Sequence, residues 1–215
     1  MKKTKQKILR LIVFLSFIQL SSVLTAQVVP NIDWVQHYVW RDSIDNSSTT
    51  LDADNNVYVT GYGFNGVDRD IIVLKYDSLG TLLWSNTYDN GGDDVGTGIK
   101  VDITGNVFVC GTSYDATSQN DVVYFVYSSN GTQLSFVRYD AGFNLNDEAV
   151  DLKISNLSGD AFVIGTSDNG SNTDALVIKY NPGWSIDWAN LYDSPYNSSD
   201  VGVALTLTSN NDIFC

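Results

Sequence analysis

Leu51–Trp84 reads LDADNNVYVTGYGFNGVDRDIIVLKYDSLGTLLW, and the residues around it repeat the same order of residue types. The pattern returns from Val101 as VDITGNVFVCGTSYDATSQNDVVYFVYSSNGTQLSF and from Ser158 as SGDAFVIGTSDNGSNTDALVIKYNPGWSIDW. A fourth copy opens near Val201 and runs to Cys215. The tyrosines that close each unit, Tyr38, Tyr88, Tyr139 and Tyr192, are 50, 51 and 53 residues apart. A fixed period of this size marks a stacked-repeat architecture, in which each unit buries its apolar face against the next.

Within one period the chain breaks into four strand-like pieces: Thr49–Asp52, Val57–Tyr62, Asp70–Tyr76 and Thr81–Tyr88. Val, Ile, Tyr, Phe and Thr dominate them, as a pleated surface prefers. Between them lie Asp54-Asn55-Asn56, Ser78-Leu79-Gly80, Thr104-Gly105-Asn106 and Ser129-Asn130-Gly131. Asn and Gly tolerate the positive φ of tight turns. The second and third strands are apolar on both faces, as in Ile71-Ile72-Val73-Leu74 and Ala175-Leu176-Val177-Ile178. A sheet with one wet face would alternate instead. The expectation is an all-β protein with four-stranded antiparallel sheets near 49–88, 97–139 and 148–192, stacked as blades of a β-propeller. Gly61, Gly111 and Gly165 each follow the second strand, where close backbone approach is expected. A β-solenoid usually has a repeat shorter than about 30 residues, and a sandwich needs roughly 100 per unit.

The pattern D-x-x-G-N-V-Y-V-x-G, then an Asp opening an apolar strand that ends Lys-Tyr, then x-G-T-x-x-W, resembles the SBBP repeat of secreted bacterial β-propellers. Asp102, Gly105, Asn106, Val107, Val109 and Gly111 carry the first part. Asp70, Lys75, Tyr76, Gly80, Thr81 and Trp84 carry the second, and the resemblance covers nearly everything after residue 30. Three places depart from it: Ser135 replaces the tryptophan, Phe125-Val126 replaces the basic position, and Asn181-Pro182-Gly183 reads as one residue longer. The resemblance implies an exported propeller scaffold without one shared catalytic activity.

Working outward, residues 1–26 have the layout of an export signal. Lys2, Lys3, Lys5, Lys7 and Arg10 precede the apolar run Leu11–Leu20, and small residues lead to a cut expected at Ala26–Gln27. This segment holds five of the twelve basic residues and none of the twenty-five acidic ones, so the remainder carries seven against twenty-five, a net −18. Such a surface repels nucleic acid and anionic lipid. Secretion or cell-surface display is the expected location, with a protein or carbohydrate as partner. Asp33–Tyr38 matches a closing strand with no blade of its own, because Trp34 and Tyr38 align with Trp84 and Tyr88. Together with the partial unit at Val201–Cys215, this suggests three full blades in an incomplete ring. Cys110 and Cys215 fall on neighbouring strand positions that face opposite ways, so two free thiols are expected rather than a disulfide.

Chemistry is sparse. His37, the sole histidine, has no Gly-x-Ser-x-Gly partner, and no carboxylate pair is singled out by spacing, so no catalytic residue is assigned. Asp94, Asp147 and Asp200 recur after the closing tyrosines, with Asp45 as the partner expected in the first unit. On one rim they would brace their own turns, or form a ring binding Ca²⁺. Asp52, Asp54 and Asn56 alternate like a calcium loop but lack its glycine and glutamate, which leaves turn chemistry. Recurring aromatics are expected between blades; Trp40 and Trp184 do not recur and are the candidates for a ligand-binding aromatic. The reading is an exported scaffold or binding module, with a polysaccharide-acting hydrolase or lyase as the alternative. An enzyme would need acidic and aromatic residues that break the repeat at one end of the ring.

Overall fold

The computed structural model describes residues 34–39, 43–195, 198–208 and 212–214, and among these there is no helix. Residues 1–26, where an export signal is expected, Trp40 and Cys215 lie outside the described residues. Three four-stranded antiparallel sheets follow one another along the chain. The first holds β1 (Ser43–Leu51), β2 (Val57–Phe64), β3 (Arg69–Tyr76) and β4 (Leu82–Tyr88). The second holds β5 (Asp94–Val101), β6 (Val107–Asp115), β7 (Gln119–Tyr127) and β8 (Gln133–Tyr139). The third holds β9 (Asp147–Ile154), β10 (Ala161–Asp168), β11 (Thr173–Tyr180) and β12 (Ile186–Tyr192). A two-stranded ribbon, β13 (Thr206–Leu207) with β14 (Ile213–Phe214), comes last. The first strand of each sheet starts earlier than expected, at Ser43, Asp94 and Asp147. Its opening residues are polar and look like loop in sequence, but they pair with the far end of the second strand.

Each hairpin is set by a side chain at its mouth. Asp52 Oδ1 accepts from the N–H of Asp54 (3.0 Å) and Asn56 (2.9 Å), and Asp102 Oδ1 accepts from Thr104 (2.8 Å) and Asn106 (2.9 Å). The residue completing these turns has positive φ, Asn55 at 60° and Gly105 at 86°. The register also shifts at matching places. Ser47, Thr97 and Val150 are extra residues in the first strands, and Leu83, Leu134 and Asp187 are extra in the last. Such bulges add local twist and pin the pairing.

The sheets stack face to face. Tyr58, Ile71 and Val73 of the first share a core with Ile99, Val109, Val123 and Phe125 of the second. Phe108, Val122, Tyr124 and Val126 share another with Leu152, Val163, Leu176 and Tyr180 of the third. This explains the missing alternation: in β3 every residue after Arg69 is buried. Gly165 faces the bulged first strand of its own sheet, where a Cβ would lie 1.8 Å from the Glu148 carbonyl oxygen.

One contact recurs between neighbouring units. Trp34 lies over Gly80 and donates from Nε1 to the Ser78 carbonyl (3.0 Å); Trp84 lies over Gly131 and donates to the Ser129 carbonyl (3.1 Å). Lys75 Nζ shares that Ser129 oxygen at 3.1 Å. Residues 34–39 thus cap the first sheet as β4 caps the second, although no strand is assigned there. At the third sheet the pattern inverts. The turn Asn181–Ser185 closes with the same two bonds as Asp77–Thr81 and Ser128–Thr132, so it has the same length, not one residue more. Trp184 (φ 65°) therefore stands where Gly80 (φ 83°) and Gly131 (φ 86°) stand. Its indole packs on the core shared by the second and third sheets.

Candidate functional site at the acidic rim

Where first strands begin, second strands end and third strands begin, each sheet carries a row of three residues. In the second sheet Asp94 pairs with Ser113 and Ser113 with Asp121. In the third, Asp147 pairs with Ser167 and Ser167 with Asp174. All six are buried. In the first sheet the row is Ile44, Gly63 and Asp70. The equivalence expected for Asp45 therefore fails. It sits one residue along, opposite Tyr62, and is exposed. A one-residue step on a strand sends the side chain to the other face.

The remaining recurrent carboxylates brace the loops before them. Asp94 Oδ2 accepts from Asn90 N–H, Asp147 Oδ2 from Ala141 N–H and Asp200 Oδ2 from Ser194 N–H, each at 2.7 Å. Third-strand carboxylates are held by polar side chains: Asn65 to Asp70 (2.9 Å), Ser118 to Asp121 (2.6 Å) and Asn169 to Asp174 (3.0 Å). In the second sheet Arg138 joins the row, binding Asp121 Oδ2 at 2.6 Å and donating to the Ser113 carbonyl and hydroxyl, and it also donates to Tyr88 of the first sheet. Burial pushes Asp94 up to about 6. Asp147 is raised too, by burial and then by the charges of Asp140 and Asp121.

The succession of units brings carboxylates together. Asp121, Asp140 and Asp147 form one group, and Asp174, Asp193 and Asp200 form another; in each, one oxygen from every residue lies within 4.8 Å of the others. A third group, Asp68, Asp70 and Asp89, has a different third member. The sequence carries a signal for these partners: an aspartate directly follows each closing tyrosine, at Asp89, Asp140 and Asp193.

On the same rim, a cavity of about 560 Å³ is lined by Arg69, Asp93, Tyr114, Asn120 and Glu148, with Thr97 and Thr112 also in its walls. Arg69 stacks its guanidinium 5.0 Å over Tyr62 and lies 3.8 Å from Asp93, and its own N–H donates to Asp93 Oδ1. Its walls break the repeat. Arg69 has Asn120 and Thr173 as counterparts, Tyr114 has Phe64 and Asp168, and Glu148, the chain's only glutamate, has Asp45 and Val95. These residues gave no spacing signal, because repeat reading discards what does not recur. Trp184 is at the opposite end of its sheet, half-buried, and faces the core rather than an open ligand surface. His37 is exposed, and Cys110 is a buried free thiol.

No family model matches this chain, and no curated protein does. Among solved structures, a mutant of the apocarotenoid oxygenase of Synechocystis is similar over 65% of this chain, at 10% identity and a TM-score of 0.40. The chain spans 35% of that protein's length.

Proposed function

We propose that the chain is a β-propeller-type binding module of the SBBP-repeat kind, exported and held at the cell surface or released, that takes a carbohydrate in the Arg69–Tyr114–Glu148 cavity. The propeller reading rests on sheets stacked in succession through equivalent contacts, Trp34 on Gly80 and Trp84 on Gly131. The carrying observation for the ligand is that this cavity departs from the repeat with an aromatic ring and hydrogen-bonding groups of both signs. A volume of about 560 Å³ suits a small saccharide. Tyr114 offers a half-exposed ring, a surface on which a sugar face stacks, and the acidic chain favours neutral glycans over anionic ones. Asp93 and Glu148 line the same cavity, which keeps a hydrolase as the second reading.

The test is binding of the full chain to immobilised neutral polysaccharides. Tyr114→Ala and Glu148→Gln should each weaken retention by about tenfold, roughly 1.4 kcal/mol, with unchanged melting. Retention that neither substitution alters would overturn the cavity as the site. Release of reducing ends, abolished by Glu148→Gln, would decide for hydrolysis.

A further inference from the structure

We infer that the two carboxylate groups Asp121–Asp140–Asp147 and Asp174–Asp193–Asp200 are calcium sites that clamp each sheet to the segment following it. Each group takes two members from one sheet and its following loop, and the third from the start of the next unit. The three positions recur with one offset: 121 to 174, 140 to 193 and 147 to 200 are each 53 residues. The arrangement is thus a property of the junction and not of one loop.

Geometry suits the ion. Calcium holds oxygens at about 2.3–2.6 Å, so two ligands on one ion lie no more than about 5 Å apart. One oxygen from each residue of a group meets that limit. Asp140 and Asp193 are exposed, which leaves a side open for entry and for water ligands.

A separate observation points to a missing positive partner. Asp121 is fully buried, and its Oδ2 is already taken by Arg138 and Ser118. Its Oδ1 is buried and has no hydrogen-bond partner. The same buried side chain brings an oxygen within 4.8 Å of one from Asp140 and one from Asp147. A buried carboxylate oxygen without a donor is costly, and two further carboxylates beside it supply only repulsion. One arginine against three carboxylates leaves two negative charges at this junction, the count that a divalent cation neutralises. At the other junction, no lysine or arginine among the described residues is ion-paired with Asp174, Asp193 or Asp200.

The experiment strips the full chain with EDTA and titrates CaCl₂ at constant ionic strength, by calorimetry and thermal melting. We expect two calcium ions per chain and a melting rise of at least about 5 °C at 5 mM. Asp140→Asn and Asp193→Asn lie at exposed positions, and an asparagine at 140 keeps an acceptor for the Gly142 N–H. Each should remove one ion, and the pair should remove both while the metal-free circular dichroism stays that of the parent. Absence of binding heat together with an unmoved melting temperature would overturn the inference. So would a shift reproduced by sodium chloride alone, or variants that bind calcium as the parent does. If a variant fails to fold, Tb³⁺ luminescence of the parent, displaced by Ca²⁺, decides the same question.

Discussion

At the junction between the first and second sheets an indole reaches forward, Trp84 onto Gly131, whereas at the next an indole reaches back, Trp184 onto the shared core, and Ser135 holds the place of Trp84. Forward, the indole and Lys75 both donate to the Ser129 carbonyl. Backward, Val126 and Ser135 hold those two positions, and Tyr124 instead stacks on Tyr180 with ring centroids 3.9 Å apart. The difference teaches that an indole can be supplied to a junction from either of the two sheets that meet there. The backward solution places a non-glycine residue at positive φ, a conformation with a steric cost of about 1–2 kcal/mol. It also buries the Tyr124 and Tyr180 hydroxyls without partners.

Swapping the two solutions should give the largest effect. Trp84→Ser should destabilise the fold by about 3 kcal/mol, from lost burial and an open cavity, and Trp184→Gly by about 2 kcal/mol. Ser135→Trp combined with Trp184→Gly should recover at least about 1 kcal/mol relative to the sum of the single changes. Urea denaturation measures each corner of the cycle; strict additivity would break the idea that the two positions share one space.

A smaller effect separates the junctions from the hairpin mouths by the sign of their pH response. Asp94, folded pKa about 6 against about 3.9 unfolded, stabilises most below pH about 4 and loses that contribution as pH rises through 6. Asp94→Asn should therefore be more stable than the parent by about 1–2 kcal/mol at pH 7, in EDTA, with the gap closing by pH 4. Asp52 runs the other way. Burial raises it, but donors from Asn56, Tyr58 and Asp54 outweigh that and hold it low, so its contribution is present at neutral pH and lost on acidification through its own lowered pKa. Urea midpoints from pH 3 to 7 check both slopes.

The smallest expected change sharpens the backward junction alone. Tyr124→Phe removes a buried hydroxyl that has no partner and should stabilise by about 1 kcal/mol. Thermal melting reads it, and a loss of stability would show that the hydroxyl is satisfied in solution.

Most of the sheet architecture was legible because it repeats: hairpin turns, doubly buried strands and closing tyrosines all announce themselves by period. What was not legible depends on single-residue register. Asp45 looked equivalent to Asp94 because both are acidic and near a unit's start, yet Ile44 holds the matching position. Trp184 looked like a free aromatic because the glycine expected in its turn is displaced by one residue, to Gly183. The rim groups were half visible. Asp94, Asp147 and Asp200 recur in sequence, but their partners on third strands and after the tyrosines converge only when sheets stack. Asp93 and Glu148 in the cavity had no pattern to betray them.

The strand order within each sheet has a kinetic consequence. Every hydrogen-bonded pair joins neighbours in the chain, through connections such as residues 52–56, 65–68 and 77–81. Closing loops of this length takes well under a microsecond, and a hairpin about 1–10 μs. No sheet waits for a distant segment, so the first can assemble as soon as Tyr88 has been synthesised, before the second exists. The slow events are then dockings of one finished sheet on the next, and the rate of each is set by its own interface. Maturation of this chain is therefore expected to proceed in discrete steps from the amino-terminal side, one sheet at a time.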